Sequence, residues 1–87
     1  MAPSYPPVEQ RLKQAHGHLA KIMTMLAEQR SCEDVIQQIQ AVESTVHSAK
    51  RLMIQEHVGT CILEKFAEGD LDLEGVRQEF AAFSRYL

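Results

Sequence analysis

The sequence predicts an all-α fold of three helices with a long central one. Three observations point there. Apolar residues recur at three- and four-residue steps along most of the chain, there is almost no strand signal, and every proline falls within the first seven residues. In the first segment Val8, Leu12, Ala15, Leu19, Ile22 and Leu26 keep a 4-3-4-3-4 rhythm, one face of a helix from about Pro7 to Gln29. Gly17 interrupts it at a cost of about 1 kcal/mol relative to alanine, a cost that close helix packing would justify. Residues 1–7, with three prolines, read as a disordered arm ahead of one helical domain over residues 8–87.

The second segment opens with Ser31, and Asp34 follows three residues on, the spacing of a capping box. Val35, Ile39, Val42, Val46, Ala49 and Met53 then form one apolar series, followed by Ile54, Val58, Cys61, Ile62 and Phe66. No proline breaks it and Gly69 is a natural stop, so the helix is expected from about Cys32 to Glu68, with Gly59 a place where it can bend. A third helix is expected to start near Asp70 to Leu73 and to run through Val76, Phe80, Phe83 and Leu87. At 1.5 Å per residue the middle helix extends about 55 Å, too far for its two neighbours to cover. A second copy of the chain is expected to cover the rest, as an antiparallel helical dimer or a higher bundle.

Composition narrows the function classes. Eighty-seven residues make one small domain, with little room for an enclosed pocket. No glycine-rich phosphate loop and no oxyanion-hole segment is present, so an enzyme is not expected. No apolar run approaches the roughly 20 residues of a membrane span, and the first residues lack the features of a secretory signal, so the expected location is the cytoplasm. Two cysteines there are expected as free thiols, either metal-binding, redox-active or simply small core residues. Net charge is −3, unevenly spread: residues 1–52 carry six Lys/Arg against five Asp/Glu, residues 53–87 three against seven. An anionic partner would meet the first half.

His57 and Cys61 stand four apart and share a helix face, a spacing that chelates one ion but also arises by chance. Cys32 lies 25 residues before His57, about 37 Å along one helix, so the three side chains do not meet within a straight helix. In an antiparallel pair with a two-fold axis near Thr45 and Val46 they do, Cys32 of one copy facing His57 and Cys61 of the other. Two thiolates and an imidazole are a soft three-coordinate set that suits Cu(I); a fourth ligand would turn the preference toward zinc, nickel or cobalt. His16 and His18, two apart, face different directions and read as surface or packing residues, one of them an optional extra ligand or DNA contact. Met23, Met25 and Met53 read as core or seam filler rather than copper-binding thioethers.

These segments resemble the copper-sensitive operon repressor family of small bacterial transcription regulators. The stretches that carry the resemblance are Arg11 to Ile22 with Gly17 at its centre, Cys32 to Val42 with its Gln38-Ile-Gln-Ala-Val42 ending, and Glu56-His57-Val-Gly-Thr-Cys61. The resemblance spans residues 8–87. It implies an antiparallel dimer that pairs into a tetramer, Cu(I) sites between subunits at Cys32, His57 and Cys61, and a metal-free form that binds operator DNA and releases it when metal binds. The chain departs from the pattern at Ser31, where the copper branch often has a tyrosine, and at Glu43, where a basic residue is common. The basic set left for DNA is Arg11, Lys13, Lys21, Lys50 and Arg51. Two other readings stay open: a copper-buffering protein on this scaffold without DNA binding, and a thiol-based sensor of reactive sulfur or formaldehyde.

Overall fold

The structure, a computed structural model, describes residues 5–69 and 72–87. Residues 1–4 of the expected arm, and Asp70 and Leu71 where the third helix is expected to begin, lie outside the described residues. Three helices follow one another: α1 (Pro6–Ala27), α2 (Cys32–Ala67) and α3 (Leu73–Ser84). The chain divides into two compact units, residues 1–50 and 51–87, and α2 contributes to both.

α1 begins inside the segment expected as an arm. Pro6 and Pro7 occupy its first turn, where a missing N–H costs nothing and the fixed φ is already helical. Its last turn closes as a Schellman motif: Gln29 N–H donates to Leu26 O at 3.1 Å and Arg30 N–H to Met25 O at 3.0 Å. The residue that turns the chain is Gln29, at φ +56°, a left-handed conformation usually given to glycine. Ser31 then caps α2, its Oγ accepting from Asp34 N–H at 3.1 Å. Asp34 turns its carboxylate to Arg30, 3.8 Å away.

α2 runs for 36 residues without a break at Gly59. It ends where Gly69 takes φ +71° and donates its N–H to Phe66 O at 3.1 Å. The capping residue of α3 is Asp72, whose carboxylate accepts from Glu74 N–H at 3.1 Å and Gly75 N–H at 3.2 Å. A side chain on Gly75 would crowd this cap, since a Cβ there would stand 2.9 Å from Lys65 Nζ and 3.2 Å from Asp72 Oδ2. Gly17 makes no such close approach: among the described residues a Cβ on it would meet nothing within 4 Å.

In the first unit each helix buries only part of its apolar series. Val8, Ala15 and Ile22 of α1 are buried, as are Val35, Val42 and Ala49 of α2, in each helix every seventh residue. Ala15, Ile22, Val35 and Val42 form one core cluster with Met25. The intervening members stay open: Leu12, Leu19 and Leu26 of α1 are 47–54% exposed, and Ile39 and Val46 of α2 are both 43% exposed. Met25 thus acts as core filler, while Met23 and Met53 lie exposed. In the second unit Ile54 is the one buried side chain among the described residues, and α3 buries none completely. No helix among the described residues is long and apolar enough to cross a membrane.

The left-handed Gln29 generates a stability prediction. Gln29→Gly relieves the Cβ clash at this position, and the gain outweighs the extra freedom of glycine in the unfolded chain. The expected effect is a stabilisation of roughly 0.5–1 kcal/mol in urea unfolding. Equal or lower stability would mean that the Schellman turn is not held as described.

Candidate metal centre

Cys32 is the first residue of α2 and is exposed; Cys61 is half-buried; both are free thiols. His57 and Cys61 belong to the second unit, on the part of α2 that faces α3 in that unit. His57 is the best-anchored of the three. Its Nε2 is 2.5 Å from Glu79 Oε1 on α3, and its ring meets Phe83 edge-on with centroids 4.8 Å apart and planes at 60°. The histidine side chain remains 41% exposed and that of Glu79 35%.

The carboxylate decides which ring nitrogen is free. It only accepts hydrogen bonds, so in the neutral imidazole the proton sits on Nε2, and Nδ1 keeps its lone pair for a ligand. A metal-binding histidine whose other ring nitrogen is held by a carboxylate is a recurrent design, because it fixes both tautomer and ring orientation. Glu79 and Phe83 were not picked out as site residues by sequence reasoning. The available signal was an acid on α3 beside the apolar positions Val76, Phe80 and Phe83, but its partner 22 residues back becomes visible only once α3 is folded onto α2 in the second unit.

Among the described residues of a single chain, no group of three or more His, Cys, Asp or Glu is disposed to hold a metal ion. His57 and Cys61 supply a nitrogen and a sulfur four residues apart on one helix face, and any third soft donor has to come to them.

The basic residues fall into two settings. Arg11 is half-buried in a polar surface groove with Gln14 of α1 and Ser44, Thr45 and Ser48 of α2, all within the first unit. Lys13, Lys21, Lys50 and Arg51 are exposed. Lys50 also lines an apolar groove of about 450 Å³ beside Glu43, Val46 and His47. His18 is tied across the helices to Gln38 Oε1 at 2.5 Å, a packing role, while His16 is exposed.

Residues 6–85 match the family model described as metal-sensitive transcriptional repressor. A copper-sensing transcriptional repressor CsoR of Mycobacterium ulcerans is 41% identical over 59 residues, covering 68% of this chain and 50% of that protein. A copper-sensing transcriptional repressor RicR of Mycobacterium tuberculosis is 33% identical over 72 residues, covering 83% of this chain and 75% of that one. The chain therefore spans about half the length of the mycobacterial CsoR relatives it matches. Among solved structures, the nickel-responsive transcriptional regulator InrS superposes with a TM-score of 0.77 at 31% identity, over 100% of this chain and 97% of that one. A family of repressors agrees with the reading that the chain is not an enzyme. With three helices, a match over nearly all of its length and relatives at this level of identity, the chain belongs to the metal-sensitive transcriptional repressor family.

Proposed function

We propose that this chain is a cytoplasmic Cu(I)-responsive repressor, holding operator DNA when metal-free and releasing it when the metal binds. The observation that carries the reading is the donor set: His57, oriented through Nε2 by Glu79, with Cys61 one turn away on the same helix and the exposed thiol of Cys32 at the start of α2. Two sulfurs and one nitrogen suit a soft monovalent ion. Sites with more nitrogen or a fourth ligand suit nickel or zinc, so the donor set of this chain favours copper over the metal in the name of InrS.

Because no third donor joins His57 and Cys61 among the described residues of one chain, the proposed site takes Cys32 from a second copy lying antiparallel. The half-open apolar series on α1 and α2 supports such a partner, since exposed apolar area on this scale marks an interaction surface. A dimer holds two equivalent sites, and two dimers pair into the proposed tetramer. Metal then acts by favouring the one of two assembly shapes in which its ligands are gathered; without that difference in affinity it would shift nothing.

For DNA the proposed contacts are Arg11, Lys13, Lys21, Lys50 and Arg51. Arg11 is the strongest of these, because Gln14, Ser44 and Ser48 around it add hydrogen-bond donors suited to phosphate oxygens. An oligomer repeats cations and anions alike, so with six Lys/Arg against five Asp/Glu in residues 1–52 the proposed DNA contact rests on where these cations stand and not on net charge.

Three measurements check this reading. X-ray absorption of the copper-loaded protein is expected to show about two sulfur and one nitrogen neighbours, and Cys61→Ala is expected to weaken copper binding severely; unchanged affinity in that variant rules the site out. Glu79→Ala, which frees the His57 ring, is expected to lower copper affinity about 10- to 100-fold while both thiols remain. Fluorescence anisotropy with the chain's own upstream DNA is expected to show binding that weakens with salt and on adding Cu(I). Arg11→Ala should flatten the plot of log affinity against log salt by about one unit for each phosphate that the arginine neutralises. Absence of DNA binding at low salt would favour a copper-buffering role instead.

A further inference from the structure

The long helix carries a stripe that in-chain packing leaves open. Ile36, Ile39, Val46 and Met53 are 62%, 43%, 43% and 49% exposed, and they follow one another with Glu43 and Lys50 at alternating steps of three and four residues. That is the spacing of a seam for another helix. Glu43 and Lys50 lie on the open face of the first unit, where both line one groove with Leu19, Ile39, Val46 and His47. The groove is apolar apart from one acid, one base and one histidine, and no ion pair joins Glu43 or Lys50 to another described residue of the chain.

An acid and a base placed seven residues apart on a seam are complementary to themselves under a two-fold axis. If two copies of α2 run parallel and in register, Glu43 meets Glu43 and Lys50 meets Lys50. If they run antiparallel about an axis between Val46 and His47, each Glu43 meets the partner's Lys50, twice per dimer. Sliding the antiparallel pair so that the axis falls at Glu43 or at Lys50 sets like charges against each other. Charges enclosed in an apolar interface are tolerated when paired and costly when not, and such residues are known to fix helix register.

We infer that reciprocal Glu43–Lys50 pairs, closing over the apolar groove, set the direction and register of the antiparallel pairing. The same axis lies midway between positions 32 and 61, so the register chosen by the charges also brings each Cys32 level with the partner's Cys61. The inference rests on the antiparallel pairing proposed above and names the side chains that select it. It also assigns both charges of the groove: Glu43 and Lys50 belong to the seam, and the DNA contacts proposed above reduce to Arg11, Lys13, Lys21 and Arg51.

The test uses the full chain free of metal, with self-association measured by sedimentation equilibrium and helix content by circular dichroism. Glu43→Lys and Lys50→Glu, taken singly, place like charges together at two points of the dimer and are expected to weaken association at least about tenfold. The double exchange, Glu43→Lys with Lys50→Glu, restores opposite charges and is expected to return the dissociation constant to within about threefold of the original. Because the double variant contains both substitutions, its recovery also shows that neither prevents folding. Singles that associate as tightly as the unmodified chain, or a double no tighter than the singles, overturn the inference. The copper reading stands or falls separately, on copper affinity in Cys61→Ala with the seam intact. Charge rescue alongside unchanged copper binding in that variant would end the copper reading alone. Loss of copper binding there without charge rescue would end the pairing alone.

Discussion

A helix pair covers only one side of each of its members, and the remainder of this structure depends on that limit. α1 and α2 carry apolar residues on a stripe wider than their mutual contact. Packing within the first unit takes Val8, Ala15 and Ile22 from one helix and Val35, Val42 and Ala49 from the other. The residues between them, Leu12, Leu19 and Leu26 on α1 and Ile39 and Val46 on α2, are left about half-exposed. Burying apolar surface is worth roughly 25 cal/mol per Å², so a small chain that leaves this much uncovered gains from association. The proposed metal site draws on the same incompleteness, since it needs a donor that the described residues of a single chain do not bring to His57 and Cys61.

The second unit is built differently. It has little fully buried surface, and α3 is fixed by its Asp72 cap, by the hydrogen bond from His57 to Glu79 and by the edge-on contact of His57 with Phe83. The histidine proposed as a ligand thus doubles as a packing residue. Its orientation and the seating of α3 are one interaction, so anything that draws on the free Nδ1 of His57 acts on a ring that α3 also holds. In the proposed metal-bound state this link is a physical route from the ion to the position of α3.

Much of the fold was legible in the residues. The helix count, the serine cap at Ser31 and the stop at Gly69 follow from local chemistry, because caps and glycine turns are decided within a few residues. Pro6 and Pro7 open α1, close to its expected start at about Pro7, because the first turn has no N–H to lose. Other features ran against local signals. The α1 turn used Gln29 where sequence logic asks for glycine, since the Schellman hydrogen bonds fix the conformation whatever side chain is present. Gly17 read as a site of close helix packing, yet among the described residues a Cβ there would meet nothing within 4 Å.

By itself the sequence determined three amphipathic helices, the uneven charge and the presence of two thiols and an imidazole at spacings suited to a soft metal. All of these are read along the chain from residue type and spacing, without knowing which helix faces meet. Only the tertiary structure decided which members of each apolar series are buried, since a 3.6-residue helix with a broad stripe offers more than one face and contact with the neighbouring helix selects among them. The tertiary structure likewise decided that Glu79 holds His57 and that Gln38 holds His18. Those pairs are 22 and 20 residues apart, and their meeting depends on how the helices dock, which no short-range pattern encodes.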